Sequence, residues 1–182
     1  MGEASNGRAS AASDAEEREL AHALRGLQVG AAGLLFGVLS FFGLVVVLSQ
    51  RGAPAQPAGD SGPLLIQLTA AAGLLAPSAW LAAGVLHRAF AQRLRALDPR
   101  ARRGAEGLRL YRTAVLLPLA LCEGTALFGL VVLLLGSLQG GLRDAPLLWV
   151  NALYSLGLVV ALAVLFPTPE RARALLSGSD PP

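Results

Sequence analysis

The chain has 182 residues, of which 54% are hydrophobic and 15% charged, and its mean hydropathy of +0.56 is too high for an ordinary soluble domain. Fifteen arginines, no lysines and twelve acids give a net charge of +3. One cysteine and two histidines exclude a disulfide framework and a Cys/His metal cluster of the usual kind, so the composition indicates a membrane protein without these chemistries.

The polar N-terminal segment, residues 1–25, is predicted to be a cytoplasmic tail. Leu20, Leu24 and Leu27 recur at i, i+4 and i+7, which is the spacing of one helix face. We therefore expect an amphipathic helix over residues 14–25 that runs into the membrane, preceded by a partly disordered start.

Four apolar runs follow this tail and define a transmembrane domain over residues 26–166. Each has the roughly 17–25 residues that a helix needs to cross a bilayer. The predicted spans are residues 27–48, 64–86, 111–135 and 147–166. Glycines and prolines in the connections between the first two and the last two spans indicate short turns. The predicted fold class is therefore an all-α membrane protein with four transmembrane helices arranged as two hairpins.

The two halves of this domain resemble each other in sequence. Residues 42–48 read Phe-Gly-Leu-Val-Val-Val-Leu, and residues 128–134 read Phe-Gly-Leu-Val-Val-Leu-Leu. Pro-Leu-Leu follows in both halves, at residues 63–65 and 146–148. Because each half has an even number of spans, these matches indicate a possible parallel internal repeat.

The arginines are distributed unevenly, which predicts an orientation. Residues 87–112 carry eight arginines, whereas each of the two other connections carries one. Because basic residues are retained in the cytoplasm, both termini and this central loop are expected on the cytoplasmic side. The use of arginine to the exclusion of lysine indicates a GC-rich bacterial source and hence the bacterial inner membrane. We interpret the arginine cluster as a topology signal that contacts anionic lipid headgroups rather than nucleic acid.

A short helix is predicted in the C-terminal cytoplasmic tail, residues 167–182. Thr168 can cap its N-terminus, and Pro169 is compatible with the first helical position. We expect this helix to lie on the membrane surface.

Glu123 is the residue that bears most directly on function. It lies 12 residues after Tyr111, which at a rise of 1.5 Å per residue places it about 18 Å into a hydrocarbon core about 30 Å thick. A charged carboxylate is costly at that depth, so we expect the carboxyl to be protonated near neutral pH. Two interpretations stay open: a titrating group for a proton or ion, or a structural carboxyl that donates a hydrogen bond to another helix.

Other polar side chains are predicted near the depth of Glu123. Ser40 on the first span, Ser78 on the second and Tyr154 on the fourth complete a candidate ion or proton site. Tyr154 also shares a helix face with Asn151 and Ser155, for which interhelical hydrogen bonding is the preferred interpretation over substrate binding.

Two prolines inside the spans are expected to expose backbone carbonyls. A proline has no N–H for the carbonyl four residues earlier, so Pro77 frees that of Gly73 and Pro118 frees that of Ala114. His87, at the predicted cytoplasmic edge, is expected to be solvated.

A stripe of glycines on the first span is predicted to pack against another helix. Gly26, Gly30, Gly33 and Gly37 line one face and allow close approach of two backbones. The partner is either the third span near Gly124 or a second copy of the chain.

The third span resembles a known helix. Its residues 119–134, Leu-Ala-Leu-Cys-Glu-Gly-Thr-Ala-Leu-Phe-Gly-Leu-Val-Val-Leu-Leu, place an acid before a small-residue and aromatic-Gly-Leu-Val pattern. This looks like the carboxylate-bearing helix of the rotor-ring proteolipids of rotary ATPases, and residues 64–136 resemble the proteolipid hairpin. The resemblance implies that Glu123 is an ion-carrying carboxylate, although Pro77 and two extra helices depart from the proteolipid pattern. The chain is also similar to small uncharacterised bacterial four-helix membrane proteins, which implies no activity.

The sequence therefore leads to two functional hypotheses. The first is a multi-pass integral membrane protein that binds no cofactor or metal and acts in the lipid bilayer by self-assembly or as a subunit beside a partner protein. The second is proton or ion translocation through Glu123 in an oligomer. An enzyme is not expected, because no Ser/His, paired-Asp or metal-ligand constellation is predicted at one depth.

Overall fold

The computed structural model describes residues 3–51, 61–139, 142 and 145–177, with side chains described from residue 17 onward, Ser61 excepted. The middle of the first predicted turn, residues 52–60, and Arg143 of the second lie outside the described residues, as does the end of the C-terminal tail. All regular structure in the described part of the chain is helical, and it includes four helical segments long and apolar enough to cross a membrane. The predicted all-α membrane fold is confirmed.

The helices follow one another with short connections. Their bounds are α1 Glu3–Arg51, α2 Ser61–Ala96, α3 Pro99–Arg103, α4 Ala105–Leu138, a 3₁₀ helix Pro146–Asn151, α5 Ala152–Leu165 and α6 Pro169–Ser177. Helices α1, α2 and α4 each contain one candidate span, and the 3₁₀ helix and α5 together form the fourth. The internal repeat stays a prediction.

Two boundaries differ from the expectation, and one agrees. Helix α1 begins at Glu3 rather than near residue 14, because an existing helix can be extended without a new nucleation cost and four alanines in residues 3–13 favour the extension. The fourth span opens with a 3₁₀ helix instead of an α-helix. Helix α2 continues past its span and ends at Ala96, just before the Asp98-Pro99 pair that disfavours helix, as predicted.

Helix α4 is the centre of the bundle. Helices α1, α2 and α5 all pack along it, whereas α1 and α2 hardly contact each other within the described residues. Leu119, Ala126, Leu130 and Leu133 of α4 are completely buried. In α1 the side chains that pack inward lie on one face, while the opposite face is exposed: Leu24, Leu27, Ala31, Val38 and Val45 form the buried stripe.

Helix α5 approaches its neighbours through two glycines. A Cβ atom at Gly129 would lie 2.7 Å from the carbonyl oxygen of Asn151 and 2.7 Å from Cδ2 of Tyr154. A Cβ atom at Gly157 would overlap the indole ring of Trp80. Since real Cβ atoms do not come this close to other heavy atoms, the absence of a side chain at both positions permits the contacts of α5 with α4 and α2.

One end of the bundle brings together the N-terminal half of α1, helix α3 and helix α6. The side-chain amide of Gln28 donates to the carbonyl of Pro167 at 3.0 Å. The hydroxyl oxygen of Thr168 accepts from the backbone N–H of Arg171 at 3.3 Å, so the predicted cap is present. Helix α6 packs on α2, α3 and α4 with Ala172 completely buried, because those helix ends cover its apolar face. Its expected position on the membrane surface stays a prediction.

Candidate functional site

Glu123 lies at the edge of the buried face of α4. Leu119 and Ala126, four residues before it and three after it, are completely buried, whereas Ala120 and Gly124 are exposed. The Glu123 side chain is half-buried. Within the described part of the chain its carboxyl group has no hydrogen bond or ion pair. The carboxyl therefore borders both the helix contact and the exterior of the bundle.

Ser40 does not join Glu123. It is exposed, on the side of α1 away from the buried Val38 and Val45. It lies seven residues after Gly33 and three after Gly37, so it extends the glycine stripe along the open face of α1. Depth along the membrane normal can be read from sequence, but rotation about the helix axis is set by packing.

Ser78 and Tyr154 likewise contact groups other than Glu123. The hydroxyl of Ser78 donates to the carbonyl of Leu74 in its own helix at 2.8 Å. Tyr154 lies between α2 and α4: its ring packs on Gly129, and its hydroxyl oxygen lies 3.7 Å from where a Cβ of Gly73 would be. None of the three predicted hydroxyls hydrogen-bonds to Glu123 within the described residues.

Asn151 links the start of the fourth span to α2. The residue is completely buried, and its Nδ2 donates to Oγ1 of Thr69 at 3.0 Å and to the carbonyl of Leu148 at 2.9 Å. The interhelical hydrogen bond expected for this residue is therefore present. Its Oδ1 and the Oγ of Ser155 are buried without a protein partner among the described residues.

His87 has a structural role that the sequence analysis missed. Its Nδ1 lies 3.0 Å from the carbonyl oxygen of Ala114. That carbonyl is the one freed by Pro118, and since it can only accept, Nδ1 carries the proton. His87 is half-buried and not simply solvated as expected, because a freed carbonyl in an apolar surrounding needs a donor and the ring supplies it. The sequence signal for this contact is the Ala114 carbonyl that Pro118 frees, together with a histidine at the end of the preceding span that can donate to it.

The glycine stripe of α1, residues Gly26, Gly30, Gly33 and Gly37, is open. Apart from the backbone of its own helix and its chain neighbours, no atom of the described residues lies within 4 Å of a Cβ built at any of the four, and the same holds at Gly124 of α4. Packing of the stripe against the third span near Gly124 is therefore not found. A second copy of the chain stays a prediction.

Comparison with known proteins gives no relative of this chain. No protein-family model matches it, and neither does any curated protein or solved structure. Its likeness to rotor-ring proteolipids accordingly stays a prediction. Within the described residues, no group of three or more His, Cys, Asp and Glu side chains is placed to hold a metal ion.

Proposed function

We propose that this chain is a multi-pass protein of the bacterial inner membrane that acts by self-assembly, or as a membrane subunit beside a partner protein, and not as an enzyme. The supporting observation is the open small-residue face of α1. It consists of the glycine stripe and Ser40, and in the described chain no other helix covers it.

Close packing is the physical reason why such a face favours association. Lipid tails are as apolar as leucine side chains, so helices in a bilayer gain little by hiding apolar surface. They gain by van der Waals contact between backbones, which glycines at i and i+4 permit, and by hydrogen bonds of serine hydroxyls across the contact. Val29 and Phe36 beside the stripe are 73% and 74% exposed, so the surrounding surface is also available to a second helix.

Bulky substitutions on the stripe test this proposal. We expect Gly33→Leu and Gly37→Leu to convert an oligomer to a folded monomer of unchanged thermal stability, because neither position touches the rest of the described chain. Gly43→Leu is the matched control: the position is equally open but lies on another side of α1. Crosslinking in membranes and sizing in detergent measure the assembly. A monomeric wild type, or equal dissociation by Gly43→Leu, would contradict the proposal.

The proposed orientation places both termini and the loop over residues 87–112 in the cytoplasm. In support, the arginine-rich connection and α6 lie at the same end of the bundle, with Arg103, Arg173 and Glu17 around one cavity. Reporter fusions at Gly59 and Gly140 test the orientation, and both are expected to be active on the external side alone. Activity of either fusion in the cytoplasm would refute it.

The second candidate function is proteolipid-like translocation of protons or ions in an oligomer. The position of Glu123 favours it: the side chain is half-buried at the edge of α4 and accessible from outside the single chain. A carbodiimide, which reacts with protonated carboxyls in apolar surroundings, is expected to label Glu123 near neutral pH. Proton flux into liposomes that is lost in Glu123→Gln would support translocation, and equal flux in both proteins would exclude this carboxyl as the carrier.

A further inference from the structure

Two buried polar side chains near the start of the fourth span each have an atom without a protein partner. Asn151 is completely buried and Ser155 is 8% exposed. Within the described residues, neither Oδ1 of Asn151 nor Oγ of Ser155 has a hydrogen-bond partner. The two residues lie five and nine residues into the span that begins at Pro146. Hydrocarbon cannot satisfy a polar group there, so each unpaired group is costly.

The orientation of the Asn151 side chain is fixed by its partners. Its Nδ2 donates to the carbonyl of Leu148 at 2.9 Å and to Oγ1 of Thr69 at 3.0 Å. A carbonyl can only accept, so the nitrogen of the amide and not its oxygen must face Leu148. Both hydrogens of Nδ2 are thus used inside the protein. Oδ1 keeps its acceptor capacity and needs a donor that the described chain does not supply.

Asn151 and Ser155 are close enough to share one small ligand. Asn151 ends the 3₁₀ helix, and Ser155 lies four residues later in the first turn of α5. This spacing puts the Cβ atoms of two helical residues about 5–6 Å apart. A single oxygen atom can then lie at hydrogen-bond distance, about 2.8 Å, from both Oδ1 and Oγ. Such a ligand joins the 3₁₀ helix to α5 at the point where Asn151 already holds α2.

The surroundings of this pair favour a neutral ligand over a cation. The fourth span contains no Asp, Glu, Lys, Arg or His. Glu123, the nearest acid along α4, lies six residues before Gly129, which packs on the Asn151 carbonyl. Six residues correspond to about 9 Å along the helix axis. A cation held by neutral oxygens alone is costly in an apolar surrounding, whereas a water molecule can donate to Oδ1 and accept from Oγ. We propose that one buried water molecule bridges Oδ1 of Asn151 and Oγ of Ser155, as waters do for other buried polar groups.

The test uses the full-length protein in liposomes, where solid-state NMR measures magnetisation transfer from water to the side-chain amide of Asn151. The chain has two asparagines, Asn6 and Asn151, so ¹⁵N-asparagine labelling in an Asn6→Ser background leaves one labelled side-chain amide. We expect rapid transfer to it, because the bridging water binds the oxygen of the same amide. Ser155→Ala removes one hydrogen bond of this water and is expected to slow the transfer at least about twofold. Ser78→Ala is the matched control and should leave the transfer unchanged, because that hydroxyl already donates to the carbonyl of Leu74.

Each outcome supports or overturns the bridge. Rapid transfer that Ser155→Ala slows and Ser78→Ala does not would support it. If Ser155→Ala fails to fold, Ser155→Cys keeps the volume, weakens the hydrogen bond and gives the same comparison. No transfer in the parent protein, or equal transfer after Ser155→Ala, would overturn the proposal. An Asn151 amide signal that moves when sodium chloride replaces choline chloride would identify a cation as the ligand and would overturn it as well.

Discussion

The hydrogen bond between His87 and the carbonyl of Ala114 permits a quantitative test of how the bundle tolerates a buried proline. His87→Ala removes the donor and leaves the carbonyl unpaired. An unsatisfied buried polar group costs about 1–3 kcal/mol. Because His87 is only half-buried, water can reach part of the site, and we expect the lower half of that range, about 1–2 kcal/mol of unfolding free energy.

Pro118→Ala supplies the second arm of this test. An alanine at position 118 restores an N–H that can donate to the Ala114 carbonyl within α4. In that background His87→Ala is expected to cost about 1 kcal/mol less than in wild type, since the carbonyl keeps a partner. Packing losses from each single change, including those of the completely buried Pro118 ring, cancel in the double-mutant cycle.

Reversible unfolding in mixed micelles, titrated with dodecyl sulfate and followed by circular dichroism, measures the four free energies. Pro77→Ala combined with His87→Ala is the matched control, because Pro77 frees the carbonyl of Gly73 instead. The two changes lie ten residues apart on α2, so their effects should add within about 0.5 kcal/mol. A cycle of His87 with Pro118 that is equally additive would refute the proposed role of the histidine.

Three further predictions follow from individual contacts. Gly129→Ala should lower the unfolding free energy by about 1–3 kcal/mol, because the added methyl group overpacks the contact with Asn151 and Tyr154. Gly33→Ala on the open face of α1 is the control and should change the unfolding free energy by less than about 0.5 kcal/mol. Equal effects of the two substitutions in the same unfolding assay would contradict the packing described. Thr69→Val removes the acceptor for Asn151 and should cost about 0.5–1 kcal/mol, with no loss counting against this hydrogen bond. Glu123→Gln should unfold within about 0.5 kcal/mol of wild type, since no described residue bonds its carboxyl, and a larger loss would show a structural role.

The sequence predicts those features of the fold that depend on local properties. Hydropathy and length locate the spans, and Asp98-Pro99 marks the end of α2. The chemistry of a missing N–H identifies the Ala114 carbonyl as a group in need of a donor. Each of these follows from a short window of residues and one physical rule.

Which faces of the helices meet could not be predicted in the same way. Depth alone predicts Ser40 near Glu123, whereas in the structure it lies on the open face with the glycines. Similarly, the residues beside Gly129 in the sequence do not show whether this glycine packs against Tyr154 or faces the exterior of the bundle. Rotation about each helix axis depends on how well side chains that are far apart in sequence fit together. Several rotations would bury helix faces of similar hydropathy, so hydropathy does not select one of them.

The central position of α4 has a consequence for biogenesis. Spans enter the membrane in chain order as they leave the ribosome, so α1 and α2 are inserted before the helix that both of them pack against. Because the described residues of α1 and α2 hardly contact each other, these two helices cannot form their native contacts with α4 until residues 105–138 have been synthesised. Native packing then begins with the third span. A chain that stops before Ala105 lacks the helix against which the inward faces of α1 and α2 pack.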